Sequence, residues 1–130
     1  MLGGGSYPIS VAELRSYSED ADELFEKDEH ERLKERLAFW PDSGDLILGT
    51  DGVRKLLWTY RTARDQKREV LIVYFFRDLN MPLYLLAVFA DGDCDFDDEW
   101  RAEMAELVAQ LVEEHARQWA RVWKRPDSSA

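Results

Sequence analysis

Apolar positions along this chain change their period near residue 45. Before it they recur at helical steps; after it they gather into short, nearly continuous runs. Ahead of the helical part, Tyr7 to Val11 is a candidate short strand, with Pro8 near its start, where a missing N–H is tolerable at a sheet edge. Ser18, followed by Glu19, Asp20 and Asp22, has the character of a helix start, and Leu24 and Phe25 give that helix an apolar edge before it ends near Asp28. A second helix is predicted from Asp28 to Phe39, with His30, Leu33, Leu37 and Trp40 on one face and Pro41 closing it. His30 is expected there as a partly buried packing residue.

The runs at 46–49, 53–60, 70–76 and 83–90 are rich in β-branched, aromatic and leucine residues and are separated by turn signals. Their short connections favour an antiparallel meander, because parallel crossovers need a dozen or more residues. Val70 to Phe76 is apolar on both faces and is expected at the centre of the sheet. Trp100, Met104, Leu107, Val108, Leu111, His115, Trp119 and Val122 then form one stripe of a helix over 97–123, best explained as the cover of the sheet. Such a helix is about 39 Å long, more than a small sheet can cover. Its end, carrying Trp119 and Trp123 among Arg117, Arg121, Lys124 and Arg125, is expected to project toward a partner or a second copy in a homodimer.

With 130 residues, 45% hydrophobic, the chain can bury one core and is short for two. The expected organisation is a flexible lead over 1–6, one domain over 7–123 and a flexible tail over 124–130. One cysteine, Cys94, makes no internal disulfide and points to a reducing, cytoplasmic setting. The longest apolar runs are too short for a membrane span, and no signal peptide is expected.

The stretch DGDCDFDDE at 91–99 raises the question of a metal loop. Asp91, Asp93 and Asp95 match the first three ligand positions of an EF-hand, but Phe96 replaces the turn glycine and Ala102 the bidentate glutamate. An acidic turn is the better reading, with Asp95 or Asp97 as N-cap and Asp98 and Glu99 favoured by the helix dipole. Neither a metal nor another cofactor is expected. Net charge is −10, yet its distribution is uneven: residues 1–53 carry −8, residues 54–77 carry +5 and residues 78–130 carry −7. A local positive surface can therefore bind an anion on an acidic molecule.

Several of these pieces together resemble the RelE and HigB toxins of bacterial type II toxin-antitoxin systems. Residues 40–58, WPDSGDLILGTDGVRKLLW, carry the helix-ending Pro41, the pair Gly44-Asp45, an apolar strand, the turn Gly49-Thr50-Asp51-Gly52 and the pair Arg54-Lys55. The likeness continues through LIVYFF at 71–76, LYLLAVFA at 83–90 and the helix start Asp95-Phe96-Asp97, covering roughly residues 17–115. It implies an α+β, RelE-like fold: an N-terminal strand and helical hairpin, a three- to four-stranded mainly antiparallel sheet, and a long C-terminal helix.

The resemblance also implies a ribosome-dependent messenger RNA endonuclease restrained by a cognate antitoxin protein. In such a metal-independent site the RNA 2′-hydroxyl attacks the adjacent phosphate while basic side chains stabilise the developing charge. Arg54, Lys55 and Tyr74 match the family's catalytic positions, and Arg61, Arg64, Lys67 and Arg68 lie where relatives bind RNA. Arg54 and Lys55, adjacent on one strand, face opposite ways; Arg54 is the favoured phosphate ligand and Lys55 the alternative. Leu57, Leu71 and Asp91 stand where relatives commonly carry cations, and an acid would repel a phosphate. Two expectations follow: a toxin that inhibits translation by cleaving ribosome-bound mRNA, or a catalytically degenerate acidic protein of the same fold acting as an interaction module, either binding an antitoxin or imitating nucleic acid.

Overall fold

A computed structural model describes residues 8–90 and 95–128, the last eight of these as backbone only. The chain is α+β. Three short or medium elements come first: β1 (Val11–Glu13), α1 (Arg15–Leu24) and α2 (Lys27–Phe39). Four strands follow, β2 (Asp45–Leu46), β3 (Val53–Arg61), β4 (Lys67–Phe75) and β5 (Leu83–Ala90), and then α3 (Asp98–Ser128). The strands form one sheet of order β1-β5-β4-β3-β2, antiparallel except where β1 runs parallel to β5.

The sheet has five strands where three or four were expected, because the N-terminal strand joins it. That strand also lies later than Tyr7–Val11: Val11 pairs with Leu83, and Leu83 N–H donates to Ser10 C=O at 2.9 Å. Pro8, without an N–H, falls outside the ladder. Conversely, the run 46–49 supplies only a two-residue strand, since Gly49, Asp51 and Gly52 all take positive φ and turn the chain back. Thr50 holds that turn from inside: its hydroxyl donates to Ile47 C=O at 2.6 Å and accepts from Val53 N–H at 3.2 Å.

β4 sits at the centre and is buried on both faces from Val70 onward, as its continuous apolar run requires. On one face Ile72, Tyr74, Leu83, Leu85 and Val88 pack against Tyr17, Ala21, Leu33 and Leu37 of α1 and α2. On the other, Val53, Val73, Phe75 and Leu86 pack against Val108, with Trp100, Met104, Leu107, Leu111 and Val112 around it. The register slips by one residue between Val73 and Tyr74, so Leu86 and Ala87 both reach the α3 side.

Helix boundaries depart from expectation for local reasons. α1 starts at Arg15 and not at Ser18, whose hydroxyl donates to the Glu13 carboxylate at 2.8 Å instead of capping. α3 begins as expected, with Trp100 N–H donating to the Asp97 carboxylate at 2.8 Å. Its backbone stays helical through Ser128, beyond the expected stop at Trp123. At 31 residues it is about 46 Å long. The expected lead at 1–6 lies outside the described residues.

Candidate functional site

The anticipated basic site centres on the turn between α2 and β2. Tyr74, on the α1–α2 face of the sheet, is completely buried, and its hydroxyl accepts from Gly44 N–H at 2.7 Å while donating to Pro41 C=O at 2.9 Å. A side chain on Gly44 would collide with the Lys55 carbonyl oxygen at 2.6 Å and with the Tyr74 ring at 2.9 Å, so glycine is the residue that admits this close approach. Burial raises the Tyr74 phenol above its ordinary value, against the opposing pull of the Gly44 bond and the Arg54 charge. Tyr74 is therefore a neutral clamp on the turn.

Arg54 lies opposite Tyr74 in the β3–β4 ladder and shares its face. Its guanidinium donates to Gly44 C=O at 2.7 Å and, more weakly, to Asp42 C=O at 3.4 Å, while its buried Nε has no partner. Lys55 faces the other way, as alternation demands, and its ammonium stands 5.4 Å from the centre of the Phe96 ring. Arg54 and Tyr74 are thus brought together and Lys55 is separated from them by the thickness of the sheet.

The four cations of the β3–β4 hairpin form their own group. Arg61 and Lys67 are paired across the ladder, Arg68 is on the opposite face beside Tyr60, and Arg64 is at the tip. All four are exposed. Arg61 meets Asp65 at 3.5 Å and Lys67 meets Glu69 at 3.9 Å, whereas Arg64 and Arg68 have no ion pair among the described residues. Arg61 lies seven steps along the strand from Arg54, a run of about 23 Å, and the two point to opposite faces. They do not share one concave patch.

Leu57 and Leu71 fall in register with Phe89, giving an apolar row across the α3 face. Leu57, at the outer end of the row, is 52% exposed, while Leu71 is buried. Cys94, Asp91 and Asp93 lie outside the described residues, among which no three acidic, histidine or cysteine side chains gather as a metal ligand set. Trp119 is exposed on the part of α3 beyond its sheet contacts, and the Trp123 side chain lies outside the described residues. No helix of the described residues is long and apolar enough to cross a membrane.

A second polar cluster escaped the sequence pattern. Glu13 on β1, Ser18 on α1, and His30, Glu31 and Lys34 on α2 line a cleft of about 510 Å³. Lys34 bridges Glu13 at 3.1 Å and Glu31 at 3.0 Å, and Tyr17 Oη lies 3.1 Å from His30 Nε2. Burial alone would raise the Glu13 carboxyl, but the bonds from Ser18 and Lys34 and the Lys34 charge hold it below its ordinary value. Burial lowers His30, against the pull of the Glu13 charge. Burial likewise drives Tyr17 far up, so its phenol keeps its proton, and which of the two groups donates follows from the imidazole tautomer. Glu13 and Glu31 both pair with Lys34, so the charges of the group are matched among themselves. The cluster ties the edge strand to both helices, and its members lie too far apart in sequence for any local spacing to announce them.

Scanned against protein-family models, the chain gives no match, and no curated protein matches it.

Proposed function

We propose that the protein is a non-catalytic interaction module on a RelE-like scaffold, holding a protein partner and not cutting RNA. The observation that carries this reading is the dispersal of the three residues the family resemblance makes catalytic. Tyr74 is enclosed and bonded to Pro41 and Gly44, Arg54 is engaged by the same turn, and Lys55 lies across the sheet against Phe96. Stabilising a cleaving phosphate needs preorganised donors converging on one point, and these three do not converge. Leu57 and Leu71 support the reading further, since they form an apolar row where cations would serve RNA. The scaffold part rests on the order of elements and on the residues of the 40–58 stretch.

One feature favours a second reading, a toxin that still cleaves ribosome-bound mRNA: the exposed cations Arg61, Arg64, Lys67 and Arg68. Growth and messenger RNA integrity after induced expression in a bacterium lacking a cognate antitoxin separate the two. The module reading expects normal growth, intact messages and soluble folded protein. Growth arrest with cleaved messages, abolished by Arg54→Ala, would establish the toxin instead.

A further inference from the structure

β2 is two residues long and β3 is nine, so β2 pairs with only one end of the outer edge of β3. Ile47 N–H donates to Val53 C=O at 2.9 Å, which fixes Val53 as a residue whose peptide groups point toward β2. Direction alternates along an antiparallel strand, so Leu57 and Thr59 present their N–H and C=O groups outward in the same way. Among the described residues no hydrogen bond reaches these groups from outside, and both side chains are exposed. The stretch from Leu57 to Thr59 holds no proline, charge or bulge, and among the described residues no strand pairs with it from outside.

The edge is also rigid. On its inner face Trp58 Nε1 donates to the Glu29 carboxylate at 2.9 Å and Tyr60 Oη donates to Leu24 C=O at 3.2 Å, so β3 is fixed before anything meets it. Along its length the chemistry is graded, from exposed Leu57 to the cationic hairpin.

We propose that the outer edge of β3, from Leu57 to Arg61, receives an extended segment of a partner protein as an added antiparallel strand, apolar opposite Leu57 and carboxylate-bearing at the hairpin end. This inference rests on the interaction-module reading and supplies its partner class. Charge selects a partner segment over a second copy: edge-to-edge pairing of two copies about Thr59 would set Arg61 against Leu57 and bring together two chains that each carry −10. An acidic segment instead meets Arg61 on the edge itself and Arg64 at the hairpin tip, with Arg68 one strand further in.

The test is amide exchange and binding by NMR on the full ¹⁵N-labelled chain, with an acetylated heptapeptide of alternating valine and glutamate and its valine–lysine counterpart as probes. The Leu57 and Thr59 amides are expected to exchange fast in the free chain and at least tenfold more slowly with the glutamate peptide, but not with the lysine one. Thr59→Pro removes an outward N–H while leaving the β4 ladder bonded, and should weaken binding at least tenfold with Ile72 and Val73 still protected. The double change Arg64→Glu/Arg68→Glu, confined to the surface, should shift preference toward the lysine peptide. The inference is overturned if the Leu57 and Thr59 amides are already protected in the free chain, by a covering segment or by dimerisation, or if the two peptides bind equally. Cleavage of mRNA by the chain would end the module reading while leaving the edge result standing, so the two failures are distinct.

Discussion

Tyr74→Phe is the smallest change that tests how the Pro41–Gly44 turn is held. It removes only the hydroxyl, leaving Gly44 N–H and Pro41 C=O without their buried partner. We predict a loss of about 1–3 kcal/mol in urea unfolding with the fold otherwise retained. His30 supplies a second expectation, in pH. Its folded pKa lies below the ordinary 6.5, so between that value and the lowered one the unfolded chain binds a proton that the folded chain does not. Stability should therefore fall as pH drops below 6.5, and His30→Gln, which offers Tyr17 both a donor and an acceptor, should flatten that limb of the urea midpoint against pH. Below the ordinary 4.5 of Glu13 a separate loss begins, because the unfolded chain takes up a proton there that the folded carboxylate, held by Ser18 and Lys34, still refuses. Residues differed in how openly the sequence announced them. An aspartate cap was legible because capping is set by a three-residue spacing, but the choice of Asp97 over Asp95 needed the bond from Trp100 N–H. The Glu13–Lys34 pair was not, because its 21-residue separation follows no period. Tyr74 was singled out by the sequence but its burial was not, since nothing along a strand tells a buried phenol from a presented one.

Among the elements, α3 is divided. Its sheet contacts run from Trp100 to Val112, and from Glu113 the backbone continues as helix while the described side chains through Ala120, His115 excepted, are exposed. The first part is anchored by packing and by the Asp97 cap. Asp97→Ala should cost about 1 kcal/mol, read as a lower urea midpoint, and should shorten the helix at its start. In the second half, i,i+3 and i,i+4 pairs of Arg117 with Glu114 and Glu113 give only the small support of exposed ion pairs. The amphipathic stripe predicted this helix and its buried face, and the doubly apolar run predicted the central place of β4. β1 and β2 were misplaced because a two- or three-residue strand is defined by its partner and by flanking turns, neither of which leaves a period.

At the scale of the whole molecule, the sheet separates two helical layers, with Arg54 and Tyr74 on one side of that wall and Lys55 on the other. Alternation along β3 made the division of Arg54 from Lys55 legible in advance. The distance from Arg54 to the hairpin cations needed the length and register of β3. The parallel pairing of Val11 with Leu83 spans 72 positions of chain, whereas β3, β4 and β5 are neighbours both in sequence and in the sheet. Loop closure penalises the long connection, so the meander is favoured to assemble first, with the N-terminal strand docking against an existing edge. A chain emerging from the ribosome holds its first strand idle until its last strand has been made. Refolding kinetics should show this order: conservative changes at Val11 should speed unfolding and leave folding unchanged, while changes at Ile72 should slow folding.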